Sequence, residues 1–358
     1  MPSTHRPTDC DEPRLPARRR LLKQAGLAVA AGAILAGGGW AVLKRNANLW
    51  QVQRERSLMH TSVSITCLAG DAEAARVAID AAFARMAASA AELTRFDPAS
   101  PLWRLNRDGR LAVVPPHLHA VLREAQAISR RTEGAFDVTV LPELHYFETL
   151  RGTNALNARE RTTIAQREHL GDARALVVDT AGARLLKPDM AVTLDGIAKG
   201  YVVDQGIAAL RDHGIEYAIV DAGGDTRTIC GSDPNRHWNV GIVDPQDVGR
   251  VAAVVQVRNA ALSTSGNYRV FFSADRRLFH IVDPHTGNSP QAYSSVTAVA
   301  ERSVLADGMS TGAFSLGLPQ LAALMSAQDH QWLVFSRTGE RRWRSRDLPL
   351  IAGHAEVV

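Results

Sequence analysis

The sequence predicts an α+β fold in which antiparallel sheets pack against helices. Short runs with alternating apolar and polar side chains, such as residues 63–68, predict strands. Longer runs bounded by turn and cap signals, such as residues 72–92, predict helices. Several predicted strands are joined by connections too short for a parallel crossover, so they are expected to pair antiparallel. Strands and helices do not alternate regularly, which argues against a doubly wound parallel fold.

The predicted elements follow in chain order. The strand at 63–68 comes first, and Asp71 is expected to cap the Ala-rich helix at 72–92. Further helices are predicted at 116–131, 197–213, 303–317 and 319–327. Further strands are predicted at 175–179, 184–187, 191–194, 217–221, 226–230, 238–243, 251–258, 277–282, 295–300 and 331–336.

Two regions are predicted to lack a long regular element. Residues 93–107 are predicted as a polar loop, because Ser100-Pro101 is a turn signal. Residues 145–175 are charged and have no strong period, which predicts short helices and loops.

Composition bounds the class of protein. The 358-residue chain is 46% hydrophobic and 22% charged, as expected for a globular protein with a substantial core. These values exclude a disordered, collagen-like or coiled-coil chain. Three cysteines, Cys10, Cys67 and Cys230, are too few for a disulfide-rich scaffold or a four-cysteine zinc site.

The basic charge is concentrated near the amino terminus. Residues 1–45 hold eight of the 41 Lys and Arg residues but three of the 37 Asp and Glu residues. Residues 46–358 therefore carry 33 basic and 34 acidic residues. The nearly neutral remainder removes the main reason to expect nucleic-acid binding.

Residues 1–45 are predicted to be a targeting segment. A basic run at 18–23 precedes an apolar stretch rich in Ala, Gly and Leu that extends to Leu43, an arrangement typical of an export signal. The order Arg-Arg-x-Leu-Leu-Lys resembles the twin-arginine signal. A membrane anchor is the alternative, because Lys44-Arg45 follows and no clear cleavage site is present. Residues 46–358 are predicted to form the folded domain.

Glycines mark two candidate ligand-binding turns. Gly196 stands between a predicted strand and a helix, whose free N–H groups would suit a phosphate, and Lys199 would add a positive charge. A plain strand–helix corner with a solvated lysine is the alternative. Gly223-Gly224 follows an apolar strand and allows a ligand or another strand to approach the backbone, or forms a simple hairpin turn.

Two further groups could carry chemistry. Asp307 and Thr311 lie four residues apart on one helix face, where a carboxylate and a hydroxyl can bind Mg²⁺. A helix cap or a buried hydrogen bond is the alternative. His280 ends a predicted strand, with Asp283 close behind it, and such a histidine suits general-base work on a hydroxyl. A purely structural histidine is the alternative.

Taken in order, these segments resemble the ApbE family of flavin transferases, the FAD:protein FMN transferases, over residues 57–340. The motifs that carry the resemblance are Met59-His60-Thr61, Phe96-Asp97-Pro98-Ala99-Ser100, Arg104-Leu105-Asn106, Gly134-Ala135-Phe136-Asp137, the runs 193–201, 221–225, 265–268 and 280–287, and Ala306-Asp307-Gly308-Met309-Ser310-Thr311. Each motif alone is weak, whereas the ordered set is specific. The resemblance implies an α+β fold related to the T-fold.

The resemblance also implies a reaction and its residues. FMN would pass from FAD to a Thr or Ser hydroxyl of a partner flavoprotein, which forms a phosphoester and releases AMP. Mg²⁺ would be held by the Gly196 carbonyl and the Asp307 and Thr311 side chains. His280 would take the hydroxyl proton, with Asp283 as its orienting or electrostatic neighbour. The residues implied to contact FAD are Met59, Phe96, Ala135, Phe136, Asp137, Thr193, Lys199 and Ile281.

Three positions depart from the family pattern. Thr193 stands where the family usually has an aspartate, Asp195 replaces a glycine, and Phe96 replaces a tyrosine. An inward Asp195 would compensate for the lost carboxylate or bind a second metal ion. An outward Asp195 would leave a weaker affinity for FAD.

Alternative functions are hydrolysis of FAD to FMN and AMP, and FAD binding without catalysis. A twin-arginine signal implies a periplasmic protein, held at the inner membrane if the leader is not cleaved. Relatives with such signals often serve respiratory membrane complexes, so such a complex is one candidate acceptor.

Overall fold

The computed structural model describes residues 40–46, 48–152, 162–163, 171–327 and 330–357. Most of the predicted targeting segment, residues 1–39, lies outside these ranges. Within them, none of the helices combines the length and the apolar character needed to cross a membrane.

The described strands and helices have the following bounds. The strands are β1 (Trp40–Asn46), β2 (Leu49–Leu58), β3 (Thr61–Ala69), β4 (Arg110–Leu111), β5 (Leu176–Asp179), β6 (Gly182–Leu185), β7 (Tyr217–Ala222), β8 (Asp225–Cys230), β9 (Trp238–Asp244), β10 (Asp247–Val257), β11 (Ala261–Gly266), β12 (Tyr293–Ala300), β13 (Gln331–Ser336), β14 (Arg342–Arg344), β15 (Leu350–Ala352) and β16 (Glu356–Val357). The helices are α1 (Ala72–Leu93), α2 (Pro101–Asp108), α3 (Pro116–Arg131), α4 (Leu141–Thr149), α5 (Ala198–Asp212), α6 (Ser303–Phe314) and α7 (Leu318–Ala327), with a 3₁₀ turn at Ala173–Ala175.

Ten strands form the main sheet, in the order β1-β2-β3-β7-β8-β11-β12-β13-β14-β16. Its neighbouring strands pair antiparallel except β14 and β16, which pair parallel. Two smaller antiparallel sheets have the orders β15-β10-β9 and β4-β6-β5. The predicted α+β fold with antiparallel sheets and packed helices is therefore confirmed.

The two faces of the main sheet bury different cores. In β13, Trp332 and Val334 belong to the large core that includes the buried residues of α1, α5 and α6. Leu333 and Phe335 alternate to the opposite face and join the core of the β15-β10-β9 sheet. The main sheet is thus the middle layer, with helices on one face and the small sheet on the other.

Helices α5 and α6 cross at very close range. A Cβ at Gly200 would lie 2.8 Å from Cβ of Asp307 and closer still to the Ser303 carbonyl, so only glycine fits there. The buried Asp204 carboxylate accepts hydrogen bonds from the Ser303 and Val304 N–H groups, at 2.9 and 3.1 Å. This contact caps α6 and fixes the positions of its later residues.

Local capping signals explain where the first helices begin. Asp71 caps α1 as predicted, because its carboxylate accepts a hydrogen bond from the Glu73 N–H at 2.9 Å. The loop predicted at 93–107 is wrong in part, since α2 occupies Pro101–Asp108. Ser100 caps this helix and Pro101 occupies its first turn, so the pair marks a helix start rather than a turn.

Two predicted strands, 191–194 and 277–282, are wrong. Residues 191–194 are buried but irregular, because the Asn106 side chain bonds both the N–H and the carbonyl of Val192, at 2.7 and 2.8 Å. The Ser289 hydroxyl does the same for Phe279, at 2.9 and 2.8 Å. Each segment forms one isolated bridge, Val140 with Ala191 and Phe271 with Phe279, and side-chain bonds take the place of a continuous strand ladder. Strand β1 includes residues 40–45, the last residues of the predicted targeting segment.

Candidate active site

A cavity of about 790 Å³ lies where α5, α6 and the ends of β2, β3 and β11 converge. It collects every predicted cofactor-binding and metal-binding residue, together with His280. These residues are Met59, Phe96, Ala135, Phe136, Asp137, Thr193, Gly196, Lys199, His280, Ile281, Asp307 and Thr311. Asp283 is the one predicted site residue that does not line the cavity.

Met59 reaches the cavity from a strained hairpin. Leu58 pairs with Thr61, so the turn between β2 and β3 consists of Met59 and His60 alone. Their φ angles are 53° and 58°, in the left-handed region that a two-residue hairpin of this kind requires. Such a conformation costs a non-glycine residue of order 1 kcal/mol. In this conformation both Met59 and His60 line the cavity.

The Gly223-Gly224 hairpin packs against this turn. Gly223 has a φ of 67°, and a Cβ there would lie 3.4 Å from Cβ of Thr61 and nearer to its hydroxyl. Asp221 accepts hydrogen bonds from the Gly223 N–H and the Thr226 hydroxyl, at 3.2 and 2.6 Å. The segment is therefore a hairpin turn, and it lines the same cavity.

A buried charge cluster forms the cavity floor. Lys199 makes an ion pair with Asp225, which also accepts a hydrogen bond from Ser263. Burial acts to lower the pKa of Lys199, but the charges of Asp225 and Asp307 hold it above its ordinary value. Burial and repulsion from Asp225 raise the pKa of Asp307 to about 7, although its carboxylate accepts a 2.9 Å hydrogen bond from the Gly200 N–H.

Oxygen donors converge beside this cluster. The Thr311 hydroxyl lies 3.4 Å from the Gly196 carbonyl oxygen and 3.0 Å from the Ser265 hydroxyl. Among the residues that the structure describes, no group of three or more His, Cys, Asp or Glu side chains could hold a metal ion. A carbonyl, a hydroxyl and one carboxylate remain, which are donors that Mg²⁺ accepts. The pKa of Asp307 is raised first by burial and then by the charge of Asp225, so a cation bound at this carboxylate would lower it.

His280 is placed to accept a proton. Burial and the charge of Lys199 lower its pKa, and a hydrogen bond with the Val270 backbone opposes that shift only in part. The ring is therefore neutral at pH 7. Its Nδ1 atom is buried and has no hydrogen-bond partner in the described part of the chain.

Asp283 holds a turn. Its carboxylate accepts hydrogen bonds from the His285 N–H and the Thr286 hydroxyl, both at 2.9 Å. Between the described residues no hydrogen bond joins it to His280. Its orienting role stays a prediction, with any influence on His280 limited to electrostatics.

The three unusual residues meet at the cavity rim. The Asp195 carboxylate is 49% exposed and accepts a 3.1 Å hydrogen bond from Nε of Arg95. The Arg95 guanidinium lies 4.1 Å from the centre of the Phe96 ring, and Glu148 is its second partner at 3.4 Å. Thr193 is buried and accepts a hydrogen bond from the Asp195 N–H at 3.2 Å. Asp195 thus anchors Arg95.

Several cavity residues gave no signal in the sequence. Arg95 precedes Phe96 and belongs to no motif, whereas His60 lies in the Met59-His60-Thr61 motif but was given no role. Residues Val240–Val243 are apolar or glycine and therefore gave no sign of a site. Arg269 comes directly after the motif at 265–268 and is not part of it. Proximity to Met59 and Phe96 along the chain could have suggested the first two.

Comparison with known proteins identifies a family and several relatives. A sequence model described as the ApbE family matches residues 59–335. The FAD:protein FMN transferase of Haemophilus influenzae is 31% identical over 240 residues, which cover 63% of this chain and 69% of the relative. The FAD:protein FMN transferase of Salmonella typhimurium is 28% identical over 265 residues, which cover 71% of this chain and 75% of the relative.

Solved structures show the same similarity. The flavin transferase ApbE from Vibrio cholerae has a TM-score of 0.68 at 25% identity, covering 83% of this chain and 98% of that chain. The ApbE protein from Thermotoga maritima has a TM-score of 0.72 at 24% identity, covering 86% of this chain and 97% of that chain, and shows the same fold.

Proposed function

The chain belongs to the ApbE family, whose matched relatives are FAD:protein FMN transferases, and we infer that it is a transferase that moves FMN from FAD to a protein. One observation carries this conclusion. A single cavity brings together His280 with a neutral ring, the ammonium group of Lys199 paired with the buried Asp225, and the oxygen donors at Asp307 and Thr311.

The acceptor group that we propose is a Thr or Ser hydroxyl of a partner flavoprotein. Its oxygen attacks the phosphorus of the FMN half, a new P–O bond forms, and the pyrophosphate P–O bond breaks. AMP leaves with the bonding electron pair. His280 takes the hydroxyl proton, a role supported by its place in the cavity lining and by the burial that keeps its ring neutral at pH 7.

Lys199 and the rim hold the substrate in this scheme. The positive charge of Lys199 is maintained by Asp225 and faces the phosphates. Phe96 offers an exposed ring face for aromatic stacking, with its other face against Arg95. Met59 and the segment Ala135–Asp137 close the cavity around the bound FAD.

We propose that the resident cofactor is Mg²⁺, held by the Gly196 carbonyl, Asp307 and Thr311. When bound, it supplies charge neutralisation at the pyrophosphate and at the departing AMP. The chemistry of the donors and the burial of the Asp307 carboxylate beside the Gly196 and Thr311 oxygens in one cavity support this assignment.

The test compares cells with and without the gene. Mass spectrometry of their proteins should find covalently bound FMN only when the gene is present, and AMP should be released when the purified protein is incubated with FAD, Mg²⁺ and proteins from cells that lack the gene. Asp307→Asn should abolish both signals. Asp212→Asn makes the same chemical change at an exposed site outside the cavity, and it should keep both. Free FMN and AMP without any protein adduct would instead identify a FAD pyrophosphatase, and FAD binding without AMP release would identify a carrier.

We also propose that the protein is exported by the twin-arginine route and acts in the periplasm, where a membrane respiratory complex is a candidate acceptor. The run Arg18-Arg19 followed by Leu21-Leu22-Lys23 supports this. Replacing Arg18 and Arg19 by Lys should retain the protein in the cytoplasm, as measured by cell fractionation. Unchanged export would contradict the route.

A further inference from the structure

We propose that the acceptor protein docks an extended segment as an added strand on the free edge of β9, which carries its hydroxyl towards His280. The proposal rests on the proposed function, because it requires a protein substrate. It concerns a part of the cavity whose lining includes none of the residues implied to bind FAD or Mg²⁺.

The cavity touches both faces of the main sheet at the end of β11. Ser265 points to the helix face, where its hydroxyl contacts Ser310 and Thr311 at 2.9 and 3.0 Å. Leu262 points to the opposite face and belongs to the core of the small sheet. Both Ser265 and Leu262 line the cavity, as does Gly266 at the strand end. The cavity therefore bends around β11 into a second arm, here called the sheet-side arm.

The sheet-side arm is bordered by the edge of β9. Four consecutive residues, Val240–Val243, line it. Successive side chains of a strand point to opposite faces, so these four residues share only the strand edge. Ile242 buries its side chain in the small-sheet core, and Gly241 is exposed. The cavity is thus lined here by backbone as much as by side chains.

That edge is open to pairing. In the described residues β9 is the last strand of its sheet and pairs with β10 alone. No hydrogen bond from another described segment reaches the backbone of Val240–Val243. Edge strands are usually protected by lysine, proline or a bulge. The sequence of β9 contains neither lysine nor proline, and the register shifts in its pairing with β10, opposite Val243 and Ile242, place the extra residues on β10.

An extended polypeptide is the occupant that fits these features. A free edge binds a chain through its backbone, largely without regard to sequence, while alternate side chains enter the neighbouring space. That space is lined by Leu262, Thr264 and Thr226, which suits small or apolar acceptor side chains. The same cavity holds His280, so a Thr or Ser at the end of the added strand has a continuous path to the base.

Proline substitutions on the edge test the proposal. Adjacent N–H groups of an antiparallel strand point to opposite edges, so Val240→Pro and Gly241→Pro are made separately. One of these two variants removes an N–H that points away from β10 and therefore spares the pairing of β9 with β10. It is recognised as the variant whose melting temperature falls less than that of the other. Val243→Lys is a further variant that keeps the backbone intact and blocks an edge in the way natural sheets do.

The readouts separate acceptor binding from FAD binding. Flavin fluorescence measures the Kd for FAD on the purified protein. Ultraviolet fluorescence of denatured proteins, from cells that carry each variant as their only copy, measures covalent flavin. We expect the sparing proline variant and Val243→Lys to lower protein flavinylation by about tenfold or more, with the FAD Kd within about twofold of the original. Ile351→Lys, an exposed position on β15 at the opposite edge of the same sheet and outside the cavity, is the control and should change neither.

Three results would overturn the proposal. Unchanged flavinylation in the β9 variants would show that the edge does not bind the acceptor. A parallel loss of FAD affinity would assign the sheet-side arm to FAD itself. A variant that changes only self-association in solution would assign the edge to a second copy of the chain. Absence of protein-bound FMN with the unsubstituted protein would instead refute the proposed function.

Discussion

The Arg95–Asp195 pair is expected to set the affinity for FAD, although neither residue is part of the family pattern at these positions. The perturbations are Asp195→Gly, which installs the residue usual in the family, Arg95→Ala, and the two combined. Asp195 orients Arg95, and Arg95 supports one face of the Phe96 ring. Loss of either side chain should therefore leave Phe96 less well ordered for stacking.

The magnitude follows from the exposure and geometry of the pair. The Arg95 side chain is 10% exposed but the Asp195 side chain is 49% exposed, so solvent screens the pair, and about 0.5–1 kcal/mol is the upper part of the range for such contacts. Arg95 keeps Glu148 as a partner after Asp195→Gly, so the FAD Kd should rise about two- to fivefold. Arg95→Ala also removes the cation–π contact, which adds about 0.5–1 kcal/mol.

The assay is titration of FAD by quenching of its fluorescence, repeated for the four members of the double-mutant cycle. We expect the double variant to bind FAD about as well as Arg95→Ala alone, because Asp195 acts through Arg95. The effect of Asp195→Gly should shrink as salt is added. Fully additive losses, or an unchanged Kd in Arg95→Ala with unchanged melting temperature, would refute the reasoning.

Three further predictions concern stability and pH. Gly200→Ala places a Cβ within 2.8 Å of Cβ of Asp307 and should lower the free energy of unfolding in urea by about 1–3 kcal/mol. A decrease smaller than the error of the measurement would mean that α5 and α6 are not so close. Asp204→Ala leaves Arg227, its partner at 2.6 Å, without a counter-charge and also uncaps α6. The free energy of unfolding should therefore fall by about 3–5 kcal/mol. The control Asp212→Ala, at an exposed ion pair, should lower it by less than about 1 kcal/mol. The pKa of His280 lies below its ordinary value of 6.5, so the acid limb of the transfer rate should have its midpoint below pH 6.5. Because the unfolded chain binds this proton more readily than the folded one, stability should also fall as pH drops below 6.5, and His280→Gln should remove that part of the decline in melting temperature.

Local sequence signals predicted much of the fold but not all of its strands. Asp71 located the start of α1 because a cap acts on the N–H groups of its own helix. Ser100-Pro101 was ambiguous, since the same pair starts a helix or a turn. The strands predicted at 191–194 and 277–282 failed because the side chains of Asn106, 86 residues before Val192, and of Ser289, ten residues after Phe279, satisfy their backbones. Apolar patterns cannot show which group will take a backbone hydrogen bond.

The sequence by itself determined the α+β class and the concentration of basic charge in residues 1–45, since these depend on residue types and on spacings along one segment. Its resemblance to the ApbE family named twelve of the residues that line the cavity. Tertiary structure alone decided that Asp195 anchors Arg95 and that the edge of β9 borders the cavity. The physical reason is common to both. A carboxylate binds whichever donor the fold brings within about 3 Å, and a strand edge is open or paired according to which strand lies beside it, so both depend on contacts between segments far apart in the chain.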